Sequence, residues 1–101
     1  MAIQTFSKQP SEKYKIAIEW NGKLPSGGTL SSCDVSAVDN SDQSDATGTV
    51  LVSPTGEISG TQSRAVVQAG TDGKTYKITF LVTLTDGSIL EEDVLMQVTE
   101  T

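Results

Sequence analysis

Apolar residues fall at every second position in two stretches of the chain. Between 13 and 20, Tyr14, Ile16, Ile18 and Trp20 alternate with Lys13, Lys15, Ala17 and Glu19, the period of a strand with one buried face. Between 75 and 84, Tyr76, Ile78, Phe80, Val82 and Leu84 alternate with Thr75, Lys77, Thr79, Leu81 and Thr83. Five apolar positions in register predict the central strand of the fold. Weaker alternation starts near Thr29, with Cys33, Val35 and Ala37 facing one way, and again over 63–69, with Ala65, Val67 and Ala69 on one face. Thr49-Val50-Leu51-Val52 and Glu57-Ile58-Ser59 read as short strands on either side of a Pro54-Thr55-Gly56 turn.

After the central strand, Asp86-Gly87 marks a tight hairpin. It leads into a last strand from about Ile89 to Val98, with Leu90, Val94, Met96 and Val98 inward. The same segment fits a helix as well: Ser88 to Glu91 form a capping box, and Leu90, Val94, Leu95 and Val98 a helical stripe. The Asp-Gly turn and the strong strand before it favour pairing. No other window of about twelve residues has a helical stripe free of Gly and Pro. About seven short strands separated by turn signals predict an all-β fold, an immunoglobulin-like antiparallel β-sandwich.

Gly70-Thr71-Asp72-Gly73-Lys74-Thr75 runs straight into Tyr76. This turn fits a tyrosine corner, in which the hydroxyl bonds back to upstream backbone, and equally an ordinary core tyrosine. Residues 1–11 have no strand or helix pattern, and Pro10 closes them off. They are expected to form an N-terminal arm, mobile until ordered against a partner, with Ile3 and Phe6 exposed. Residues 12–101 then make a single sandwich domain.

Composition narrows the partners. At 101 residues and 36% hydrophobic content, one thin core is all the chain can bury. Thirteen acidic and seven basic residues give a charge of −6. That balance argues against nucleic acid, which needs clustered Lys and Arg, and against an anionic membrane surface. No apolar run approaches the ~18 residues of a membrane span, and no signal peptide is visible at the start. Synthesis in a bacterial cytoplasm is the expectation.

Chemistry is sparse. The chain has no histidine, which removes the commonest general base and metal ligand. A single cysteine, Cys33, allows neither an internal disulfide nor a thiolate metal site, and it reads as a small core residue. Glu91, Glu92 and Asp93 are neighbours on a strand and point to opposite faces, so they cannot flank one substrate atom. Asp39, Asp42 and Asp45 recur every third residue in a polar stretch that lacks the alternate spacing, central Gly and late Glu of an EF-hand. A solvated loop is expected there. Of the aromatic residues only Phe6 falls outside a predicted core face, so no carbohydrate-binding platform is evident. The expectation is a non-enzymatic protein: no catalytic, cofactor-binding or metal-binding residues, and no cofactor.

Several segments together resemble the small virion proteins that serve as fibre–tail adaptors in tailed phages and prophages. They are Lys8-Gln9-Pro10-Ser11-Glu12, Ile18-Glu19-Trp20, Leu24-Pro25-Ser26-Gly27-Gly28-Thr29-Leu30, Gly70 to Ile78, Thr83 to Gly87 and the final Val98-Thr99-Glu100. They occur in the family's order along most of the chain. Glu19 stands where the family usually has Asp, and residues 39–68 add no match. The resemblance implies a mechanical connector in a virion tail, with other tail proteins as partners and self-association in the particle left open. It brings no catalytic residues. The alternative is a monomeric immunoglobulin-like binding module of a cell-surface or carbohydrate-active protein.

Overall fold

The computed structural model describes residues 4–20, 22, 24 and 28–100. They form two sheets with one short helical turn between them. In chain order the elements are β1 (Gln4–Lys8), β2 (Tyr14–Glu19), β3 (Leu30–Asp39), α1 (Thr47–Val50), β4 (Glu57–Ser59), β5 (Gln62–Val67), β6 (Thr75–Leu84) and β7 (Ile89–Val98). One sheet has the order β1-β7-β6-β3 and the other β2-β5-β4. The result is a β-sandwich.

β6 alternates along its whole length, every even position from Tyr76 to Leu84 being buried. It pairs antiparallel with β3 on one side and β7 on the other, setting Phe80 opposite Val35 and Glu92. The second sheet closes over this surface with Ile18, Ala65 and Val67. Trp20, just past β2, is fully buried, and its indole N–H donates to Ser63 Oγ at 2.8 Å. Cys33 is 1% exposed, and burial pushes its thiol pKa up. Gly56 packs so tightly here that a Cβ would meet Cys33 Sγ at 2.6 Å.

The β6–β7 hairpin turns where the Asp-Gly pair predicts. The Leu84 N–H donates to Ser88 C=O at 2.8 Å, the Gly87 N–H donates to Leu84 C=O, and Gly87 has φ of 92°. This is a three-residue loop with glycine in the left-handed position. β7 is a strand throughout, so its helical stripe is unused. It pairs with β6 from Ile89 to Gln97 on one side and with β1 from Val94 to Val98 on the other.

Three expectations are corrected. Residues 4–8, read as patternless arm, form β1, which pairs parallel with β7 from Gln4↔Val94 to Lys8↔Val98. Phe6 is half-buried against the core and 6.4 Å from the Tyr14 ring, not exposed. The strand pattern is hidden because the next inward position is Lys8, a charged residue that is only 1% exposed. Ile3 lies outside the described residues. Thr49 to Val52 do not form a strand: α1 ends at Val50, and only Leu51 bridges to Val67. Val50 and Leu51 are adjacent and both buried, which an alternating strand cannot achieve and a helical turn can. Asp39, placed in an exposed loop, is the last residue of β3 and is 7% exposed, opposite Tyr76.

Candidate assembly interface

The two lateral sides of the sandwich differ. On the β3 side the edge is sealed by the segment that follows it. The Val35 N–H donates to Pro54 C=O, the Gly56 N–H to Cys33 C=O, the Ala46 N–H to Ala37 C=O and the Asp39 N–H to Ser44 C=O, all at 2.8 Å. Thr47 Oγ1 takes the Ala37 N–H at 3.0 Å. A covered edge cannot recruit another strand.

The β1–β2 side is open. β1 ends one sheet and β2 the other, and among the described residues no backbone hydrogen bond leaves the outer edge of either. A slot of about 90 Å³ lies between them, lined by Thr5, Phe6, Ile16, Ala17, Ile18 and Val94. Drug-sized ligands need roughly 300–1,000 Å³, so the slot is too small for one. It suits single side chains of a chain laid along the edge. Tyr14 Oη donates to the Ser7 carbonyl across the gap at 3.2 Å.

One end of the sandwich is held by a corner that pattern reading does not find. Lys8 Nζ donates to the carbonyls of Gln9 (2.7 Å), Pro10 (3.3 Å) and Ala69. Burial pushes the Lys8 pKa down, and nearby Glu12 opposes it. Ala69 has φ of 49° and Gly70 of 96°, and a Cβ at Gly70 would come within 2.7 Å of Val98 Cγ2. The Thr71 N–H then donates to Tyr76 Oη at 3.0 Å. The tyrosine hydroxyl therefore does reach back to the upstream turn, and Lys8 fastens β1 to that same turn. Lys8 heads the Lys8-to-Glu12 segment that carries the family resemblance, but hydrophobic periodicity gives no sign that it is buried.

The aspartates at every third position are explained by local bonding. Asp42 Oδ1 accepts from the Ser44 N–H and hydroxyl, and Asp45 Oδ1 from those of Thr47. Asp39 does the same with Ser41, and its Oδ2 takes Lys74 Nζ at 2.7 Å. Each carboxylate is thus turned to its own downstream backbone. Among the described residues no three His, Cys, Asp or Glu side chains gather at one point.

Lys74, and then Ser41, hold the Asp39 carboxyl at about 2, below the ~3.9 of a free aspartate. A depressed carboxyl stabilises the fold above the unfolded value and loses that contribution as pH falls through the folded one. The melting temperature should therefore drop between about pH 4 and pH 2, and by less in Asp39→Asn. Equal acid sensitivity of the two proteins would contradict the Lys74 pairing.

A second hollow, of about 190 Å³, lies beside Val52 and the Lys15, Glu57 and Arg64 side chains. Its charges already pair, Lys15 with Glu57 at 3.4 Å and Arg64 with Glu57 at 3.9 Å. It is a solvated ion-pair surface.

The sequence profile of the family described as Podophage GP4 fiber-tail adaptor protein gp77 matches residues 8–97. That span takes in the central residues 39–68, which carried no resemblance by motif. Curated proteins give no match.

Proposed function

The chain belongs to the podophage fibre–tail adaptor family, and on that premise we propose that it is a non-enzymatic connector fixing a fibre protein to the tail of a virion. The observation that carries this reading is the asymmetry of the sandwich: one lateral side is sealed by its own chain, the other is open. An open side with two strand edges and a narrow apolar slot fits protein–protein docking by strand addition, in which main-chain bonds give affinity and the slot selects side chains. The ordered corner at Lys8 supports the reading too, because it presents β1 as a preformed edge and so lowers the ordering entropy lost on docking.

The sandwich is immunoglobulin-like in this proposal. Support comes from the pairing of consecutive β6 and β7 with β3 in one sheet, of β2, β5 and β4 in the other, and from the tyrosine bond at the head of β6. Particles assembled without this protein test the function. They should have tails and lack fibres, and the purified full-length chain should restore them. Fibres present in its absence would reject the connector role.

A further inference from the structure

An adaptor joins two neighbours, and the open β1–β2 side accounts for only one of them. A second surface stands out on the outer face of the β1-β7-β6-β3 sheet, where polar residues are expected: Leu81 and Ile89 lie there, with Val38 and Leu95 on either side of Lys77 farther along. Ile89 is 60% exposed. Leu81, half-buried by its neighbours, sits in register between Asp34 of β3 and Glu91 of β7. One row along, Asp93 accepts a hydrogen bond from Thr79 Oγ1 at 2.8 Å. The apolar pair is thereby framed by three carboxylates. Among the described residues none of the three has a Lys or Arg within ion-pair distance, and the only cation projecting from this face is Lys77, opposite Leu95.

We propose that this face, centred on Leu81 and Ile89 and ringed by Asp34, Glu91 and Asp93, is a docking surface for a different virion protein whose contact patch sets apolar groups among Lys or Arg side chains. The inference rests on the connector reading above. Charge selects the occupant. Two copies meeting through this face would bring six carboxylates together, counting Asp34, Glu91 and Asp93 on each, and like charges at an interface are unfavourable. Stacking it on the other face of a second copy is no better, since Lys15 and Arg64 there already engage Glu57. A chain carrying −6 has few free cations to offer itself. A basic partner gains complementarity at the rim and apolar burial at the centre.

Carboxylate labelling of whole particles tests this, with glycine ethyl ester and a water-soluble carbodiimide as the probe. In assembled particles Asp34, Glu91 and Asp93 should react at least about tenfold more slowly than in the free chain, as expected for buried interface charges. The paired variant Asp34→Lys/Glu91→Lys changes exposed residues and should keep the free chain's melting temperature. Its occupancy in particles should fall at least about tenfold, since reversed charges oppose a basic partner. Equal labelling in particle and free chain overturns the proposal, as does normal occupancy of the charge-reversed variant. Carbodiimide cross-links from this face to lysines of a second copy overturn it as well. A chain absent from purified particles would reject the connector reading and this inference together, an outcome distinct from a present chain with a reactive face.

Discussion

Replacing Phe80 by alanine should lower the unfolding free energy by about 3–5 kcal/mol, the usual cost of emptying a buried aromatic site. Phe80 is fully buried at the middle of β6, facing Val35 on one neighbour and Glu92 on the other. Strands on both sides fix its backbone, so little collapse into the vacated space is available, and the cost should sit toward the upper end. Equilibrium denaturation reads the effect as a shift of midpoint at constant slope. A midpoint near the parent's would mean that the even-numbered face of β6 is not the core.

Deleting residues 1–8 should cost about 2–4.5 kcal/mol. The sum is half the burial of a phenylalanine, about 1–1.5 kcal/mol, plus the unmet partners of a charged donor, about 1–3 kcal/mol. Phe6 packs on the core, and Lys8 Nζ serves three carbonyls, among them Ala69 in the positive-φ corner. Removing β1 also bares the β7 edge along Val94 to Val98, which invites association between chains. Lys8→Met keeps the stem and removes the donor, and should account for about 1–3 kcal/mol of the loss. A truncated chain as stable as the parent would show that residues 1–8 behave in solution as the independent arm the sequence pattern implies.

The long strands were legible because most of their inward positions are apolar, Glu92 of β7 and Asp39 of β3 being the charged exceptions. The alternation of β6 and β2 is readable residue by residue, and Asp86-Gly87 locates the hairpin from the sequence alone. β1 escaped because one of its inward positions is a lysine, and periodicity counts a charge as exposed. Only the three carbonyls converging on Lys8 Nζ make that burial tolerable, and two of them lie next to it while the third comes from a distant turn. α1 escaped for a different reason: four β-prone residues, Thr49 to Val52, outweighed the geometric fact that Val50 and Leu51 must both point inward. At Asp39 the ion pair with Lys74 depends on the β3–β6 register, a long-range relation invisible in a local reading. The open side was legible only as a possibility of sheet edges. Which edge is sealed depends on where residues 44–56 run, and that stretch has the weakest pattern in the chain.

Fibre restoration by an edge-altered chain tests the central claim most directly. Thr5 and Ala17 are exposed at the rim of the β1–β2 slot, so Thr5→Arg/Ala17→Glu should leave the melting temperature within a few degrees of the parent's, as for surface changes of about ±0.5 kcal/mol. Added to particles that lack the protein, the parent chain should restore fibres, and the double variant should restore at least about tenfold fewer because bulk and charge close the slot to an incoming strand. Equal restoration by the two chains would contradict docking through the open side.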